Sequence, residues 1–273
     1  QVMAQIIGLQ DVTRPDTTLY DPTCGSGSLL LKGADVVPAE AGITIYGQEI
    51  DTSTQALAQM NMILHDNPAA VIRRGNTLAN PLFTTNGRLD TFDFALANPP
   101  FSYKSWSNGL VPEEDKYQRF IFGIPPKKNG DYAFLSHFIR SLKSTGKGAI
   151  ILPHGVLFRG NVEAEIRQNI IKRGYIKGII GLPANLFYGT GIPACIIVID
   201  KEGAKGRDSI FMIDASKGYM KDGNKNRLRY RDVHQIVDAF NSQVEIPRYS
   251  RRVPYTEIER NELNLNIPRY TDA

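Results

Sequence analysis

From residue 18 to residue 153, short apolar runs that read as strands alternate with helix-period segments, and this alternation restricts the chain to an α/β fold with a mostly parallel sheet. The runs occupy residues 18–21, 43–50, 70–75, 92–97, 148–153, 176–183 and 194–200. Only a short, turn-rich link joins the last two, too short for a crossover helix, so they are expected to lie antiparallel. The predicted architecture is a doubly wound, seven-stranded sheet with one late antiparallel hairpin. A further strand is predicted over 210–213. The 273 residues suffice for one large domain plus an extension, divided here as a core over 1–203 and a C-terminal extension over 204–273 packed on it.

In open sheets of this kind, ligands bind at the carboxyl ends of the strands. The first strand ends in Asp21-Pro22-Thr23-Cys24-Gly25-Ser26-Gly27-Ser28 and runs into the apolar start of a helix. Gly25 and Gly27 allow a tight turn and a close ligand approach. The loop is neither common nucleotide motif: Leu30 stands where a third glycine would be, and no Gly-Lys-Ser/Thr follows. Asp21 suits a cationic ligand group better than a pyrophosphate. Glu49 ends the next strand 22 residues past Gly27, near the ~20-residue offset of a ribose-binding acid; a capping or solvated charge is the plainer alternative. Asn76 follows the third strand, placed either to meet the edge of an adenine or simply to make a turn.

The fourth strand delivers Asn98-Pro99-Pro100-Phe101. The two prolines force the chain out of the strand into a rigid turn. A side-chain amide, a proline carbonyl and an aromatic ring then stand together at the ligand edge. Two acceptors suit one NH2 group on a planar ring, with Phe101 as a stacking surface. An ordinary Asx turn is the competing reading.

Elsewhere the signals are plainer. Leu57, Met60, Ile63 and Leu64 share one face of a helix capped by Asp51-Thr52-Ser53, an apolar stripe expected in the core. The long segment 102–130 interleaves Lys104, Lys116, Arg119, Lys127 and Lys128 with Tyr103, Trp106, Tyr117, Phe120 and Phe122. It reads equally as a nucleic-acid surface and as a loop whose aromatics pack on the core. Lys217, Lys221, Lys225, Arg227, Arg229 and Arg231 make a basic stretch, either solvated or contacting phosphate. Two cysteines, Cys24 and Cys195, are too few for a disulfide scaffold and point to a reducing cytoplasm. Four scattered histidines give no metal-ligand spacing, and no apolar run reaches a membrane span's length. The net charge of +4 is compatible with nucleic acid without requiring it. The opening at Gln1, in mid-helix pattern, leads to the expectation of an upstream segment.

Asp-Pro-x-Cys-Gly-Ser-Gly, a strand-end Glu and Asn-Pro-Pro-Phe, in this order, resemble the S-adenosylmethionine-dependent amino-methyltransferases. The closest likeness is to the modification subunit of type I restriction-modification systems, a DNA adenine-N6 methyltransferase. It extends over 130–134, 152–159, 181–187 and the 265–270 tail. The resemblance implies a Rossmann-like methyltransferase fold and S-adenosyl-L-methionine as cofactor. It implies that Asp21, Thr23 and Gly25-Ser26-Gly27-Ser28 hold the methionine end, Glu49 with Ile50 the ribose, and Asn76, Thr77 and Leu78 the adenine. Asn98 and the Pro99 carbonyl would then accept from the amino group of a target adenine flipped out of double-stranded DNA, with Pro100 shaping the turn and Phe101 stacking. A specificity subunit and a restriction subunit are the implied partners, and an N-terminal helical domain is expected upstream. Methylation of RNA or of a protein glutamine amide, or cofactor binding without turnover, are the alternatives.

Overall fold

The computed structural model describes residues 1–273 apart from Tyr188. Nine strands form one sheet: β1 (Thr17–Asp21), β2 (Ile43–Glu49), β3 (Val71–Arg74), β4 (Phe92–Ala97), β5 (Leu142–Pro153), β6 (Ile176–Gly181), β7 (Ala194–Asp200), β8 (Ser209–Asp214) and β9 (Ser250–Pro254). Their order is β9-β8-β6-β7-β5-β4-β1-β2-β3. Strands β1 to β5 pair in parallel, and β7 runs antiparallel to both neighbours, β5 and β6. All seven expected strands are therefore in this sheet, with the late antiparallel hairpin as predicted. The count rises to nine because β8 adds parallel to β6 and β9 antiparallel to β8. Residues 225–227 and 220–222 form a separate small hairpin beyond the sheet.

The helices are α1 (Val2–Ile6), α2 (Ser28–Val36), α3 (Thr52–Leu64), α4 (Asp131–Arg140), α5 (Val162–Lys172), α6 (Tyr230–Ser242), α7 (Tyr255–Arg260) and α8 (Pro268–Thr271). They cover both faces of the sheet, and the strand period of two sorts the side chains between the two cores. Ile150 and Leu152 of β5, with Cys195, Ile197 and Ile199 of β7, join α4 and α5 in one core. Their alternates Ala149, Ile151, Ala194, Ile196 and Val198 join α1, α2, α3 and α6 in the other. Because both faces are buried, these strands read as continuous apolar runs.

Two expectations are corrected or resolved here. The α3 stripe is not core: Leu57, Met60, Ile63 and Leu64 are 49% to 69% exposed, and Ala58 and Met62, one turn apart, pack against the sheet instead. α3 lies close over the Gly loop on that face, where a Cβ on Gly27 would meet Met62 Cε at 2.6 Å and Ala58 Cβ at 3.7 Å. In 102–130 the aromatics largely pack down: Trp106, Phe120 and Phe122 are buried, and Trp106 and Phe120 form a small core with Leu78, Ala133 and Phe134. Arg119 is fully buried, paired with Asp115 at 2.9 Å and donating to the Thr77 and Leu78 carbonyls at 3.2 and 2.7 Å.

Candidate active site

β1, β2 and β4 are neighbours, β1 in the middle, so their carboxyl ends bring the Gly loop, Glu49 and Asn98 to one edge of the sheet. The Gly loop starts at Asp21, whose buried carboxylate accepts from the Thr23 amide at 2.9 Å. Burial, and then the nearby charge of Glu49, push the Asp21 carboxyl up to about 7, with the Thr23 amide acting against the rise. Gly25 and Gly27 both have positive φ, 55° and 87°. A Cβ on Gly25 would meet nothing within 4 Å, so the backbone there faces open space. Ser26 is anchored through its carbonyl, which accepts from Asn61 Nδ2 of α3 at 2.9 Å. Ser28 is the first residue of α2.

Glu49 ties two loops together. Its Oε1 accepts from the Gly25 amide at 3.1 Å and its Oε2 from the Asp51 amide at 2.7 Å. Each oxygen retains a lone pair for a ligand. Ile50 beside it is half exposed. After β3, Asn76 Oδ1 accepts from the Leu78 and Ala79 amides at 3.1 and 3.2 Å, making the Asx turn. The Thr77 hydroxyl donates to the Pro22 carbonyl, and the Leu78 side chain is buried beside Trp106. The side chains of Thr77 and Leu78 are thus taken up by internal contacts, which join the third loop to the first.

At the end of β4, Asn98 is exposed and Pro99 buried. The Phe101 ring meets the edge of Phe187 at a centroid distance of 6.1 Å and 74°. Asn98, Pro99, Pro100, Phe101 and Ser102 wall one side of a cavity of about 470 Å³, and Phe187, Gly189, Thr190 and Ile192 the other. A second cavity of about 700 Å³ includes Ser28, Leu29 and again Asn98 and Phe187. Asn98 therefore lines both a space that reaches Ser28 at the start of α2 and a space beside Phe101.

Sequence reasoning missed what holds this turn. Ser102 has φ 48°, a left-handed conformation that a non-glycine residue adopts only when fixed by its surroundings. The fully buried Asp131 carboxylate fixes it, accepting from the Ser102 amide at 2.8 Å. Asp131 also accepts from Arg159 Nη2 at 2.7 Å, and Arg159 bonds Glu163 at 2.8 Å. Asp131 and Arg159 lay inside segments that carried the resemblance, but nothing in their spacing assigned them a task. Phe187, on the loop between β6 and β7, was equally silent.

A family model described as N-6 DNA methylase matches residues 1–273, the whole chain. The chain belongs to this family. This chain is 32% identical over 285 residues to a type I restriction enzyme methylase subunit, MjaVII, of Methanocaldococcus jannaschii, covering 99% of this chain and 48% of that one. It is also 32% identical to the HindI methylase subunit of Haemophilus influenzae, covering 92% of this chain and 58% of that one. A solved type I restriction-modification methyltransferase subunit from Streptococcus thermophilus superposes with a TM-score of 0.89 at 38% identity, covering 99% of this chain and 57% of that one. The chain spans about half the length of the curated relatives it matches.

Proposed function

We propose that this chain is the catalytic part of a DNA methyltransferase that moves a methyl group from S-adenosyl-L-methionine to adenine N6, as the modification subunit of a type I restriction-modification assembly. The observation that carries the reading is the position of Asn98 at the carboxyl end of β4, next to the strand that leads into the Gly loop and on the wall of the cavity that holds Phe101. The residues of the Gly loop fit the cofactor. Gly25 presents backbone to open space. Asp21 offers a carboxylate for an ammonium group, and the free lone pairs of Glu49 suit two ribose hydroxyls. Bound there, the cofactor supplies an activated methyl group on a sulfonium.

The chain's own task is to position and polarise the acceptor. An adenine amino lone pair is delocalised into the ring, so the amine is a poor nucleophile. The Asn98 amide oxygen and the Pro99 carbonyl accept from its two hydrogens, favouring a pyramidal nitrogen and stabilising the positive charge that grows on it. Phe101 stacks on the base, and Phe187 braces Phe101. The Asp131–Ser102 bond keeps this turn in place, which makes Asp131 a positioning residue. Double-stranded DNA with a flipped adenine is the proposed substrate, and a specificity subunit and a restriction subunit are the proposed partners. Sequence choice would rest with the specificity subunit.

The test is transfer of tritiated methyl from S-adenosyl-L-methionine by the full-length protein with its specificity partner. Label on adenine N6 of duplex DNA is expected. Label on RNA or on protein glutamine instead, or cofactor binding without transfer, would contradict the proposal.

A further inference from the structure

Beyond the sheet edge, residues 220–227 form a two-stranded ribbon in which Met220 pairs with Arg227, Lys221 with Asn226 and Asp222 with Lys225. Strand alternation puts Asp222, Lys225 and Arg227 on one face and Lys221 and Asn226 on the other. The second face is anchored to the active-site loop. The Asn226 amide donates to the Asn185 carbonyl at 2.8 Å, and Asn226 Nδ2 donates to the Ala184 carbonyl at 2.8 Å. Two residues further along that loop, Phe187 touches Phe101. The ribbon is therefore registered to the site through four consecutive residues, not loosely appended.

Residues of both faces border the cavity beside the site, Asp222, Lys225 and Arg227 from the first and Asn226 from the second. Lys225 and Arg227 line the same 700 Å³ cavity as Asn98 and Ser28. Arg227 lies 3.6 Å from Asp222, but the two side chains are 59% and 67% exposed, and such a pair is weak and readily exchanged for another anion. Apart from Asp222, the charges over 217–229 are all basic: Lys217, Lys221, Lys225, Arg227 and Arg229. The cations of 102–130 include one, Arg119, that is buried and committed to Asp115 and backbone carbonyls. Lys225 and Arg227 of the ribbon share a cavity lining with Asn98, the residue proposed to hold the target amine.

We propose that the 220–227 ribbon grips the phosphate backbone of the DNA strand from which the target base is drawn, through Lys225 and Arg227. A polyanion entering between the ribbon and Asn98 would meet two cations fixed in register with the base site, while Asn98 and Phe101 receive the base. The inference rests on the proposed function for its substrate, but its own observable is salt dependence and not methyl transfer. Each phosphate contact releases counterions and contributes about 0.9 to the slope of log affinity against log salt.

The experiment is duplex DNA binding by the full-length assembly from low to physiological salt, for the wild type, Lys225→Gln, Arg227→Gln, the double variant, and Lys221→Gln on the opposite face. The slope is expected to fall by about 0.9 for each of the first two changes, weakening binding about fivefold each near 0.15 M salt, and by less than half as much for Lys221→Gln. Cofactor affinity by calorimetry should not change. A double variant with the wild-type slope overturns the inference. So does one that loses cofactor affinity but keeps DNA affinity, or one that sheds a partner subunit with its slope intact. A wild-type assembly that binds duplex DNA without methylating it overturns the functional reading alone, because the slopes still test the ribbon. One that does not bind duplex DNA overturns both.

Discussion

The Asp131 carboxylate, fully buried at the start of α4, accepts from the Ser102 amide at 2.8 Å and so fixes the residue that follows Asn98-Pro99-Pro100-Phe101. Asp131→Ala removes this bond and one of the two carboxylates on Arg159. Losing a buried ion-pair partner can cost 3–5 kcal/mol, but Arg159 keeps Glu163 and some solvent, so a loss of about 2 kcal/mol is expected. Asp131→Asn retains an acceptor for Ser102 and should keep more activity. Denaturant unfolding gives the stability, and single-turnover methyl transfer the activity. Cofactor affinity should stay within about twofold for both variants. Equal, wild-type turnover in both would show that the turn does not depend on Asp131.

Glu49 bridges the Gly25 and Asp51 amides with one oxygen each. Glu49→Ala removes these bonds together with the proposed ribose contacts. Each charge-assisted bond lost is worth roughly 1.5–3 kcal/mol, so cofactor affinity should fall about ten- to a hundredfold. Glu49→Gln keeps an acceptor and should fall less. Calorimetry on the full-length protein decides it, and unchanged affinity in Glu49→Ala would refute the ribose assignment.

Asp21 titrates near 7 in the folded protein against an ordinary value of 3.8, because burial and Glu49 disfavour its charge. A carboxyl raised on folding binds its proton more tightly in the native state, so its contribution to stability falls as pH rises from about 4 to about 7. Asp21→Asn does not titrate. In the absence of cofactor, its melting temperature should therefore gain on the wild type between pH 5 and pH 8. Cofactor binding should move the opposite way, weaker in Asp21→Asn at pH 8, where the wild type offers a carboxylate to the ammonium. A melting-temperature difference that is flat across this range would contradict the account.

Gly25 and Gly27 both hold left-handed φ, so an alanine at either is strained by roughly 1–2 kcal/mol. They differ in what surrounds them. At Gly27 the new Cβ meets the flexible end of Met62, whereas at Gly25 it projects into open space. Gly27→Ala should then be the larger loss in unfolding experiments, and Gly25→Ala the larger loss in cofactor affinity. The reverse ranking would show that the open space beside Gly25 is not where the cofactor approaches.

The strands of the sheet were legible because both faces are buried and each strand therefore reads as an apolar run, from Leu19-Tyr20 to Cys195-Ile196-Ile197-Val198-Ile199. Ser250–Pro254 was not, since it is an edge strand carrying Arg251 and Arg252 with only Ser250 and Val253 buried. Helical periodicity located the faces of α3 but not which one turns inward. In the fold the Ala58 and Met62 face is the one that packs beside Gly27, a contact between segments 31 or more residues apart in sequence. The chemistry-bearing loops stood out because prolines and glycines mark sharp turns. Their supports did not. Asp131 lies 29 residues from Ser102, and Phe187 far from Phe101, so each acts through a contact that only the fold creates.

The Asn98 amide oxygen is proposed to act as positive charge develops on the target nitrogen. Such a contribution belongs to the transition state and leaves cofactor binding alone. The most direct measurement is single-turnover methyl transfer by Asn98→Ala in the full-length assembly, alongside equilibrium cofactor binding. A rate lower by roughly 10²–10³ is expected, by analogy with removing one preorganised polar partner, with little change in cofactor affinity. Asn98→Asp keeps an acceptor oxygen and should retain more activity than the alanine variant. Near-normal turnover in Asn98→Ala would contradict the claim, and so would a defect explained wholly by lost cofactor binding.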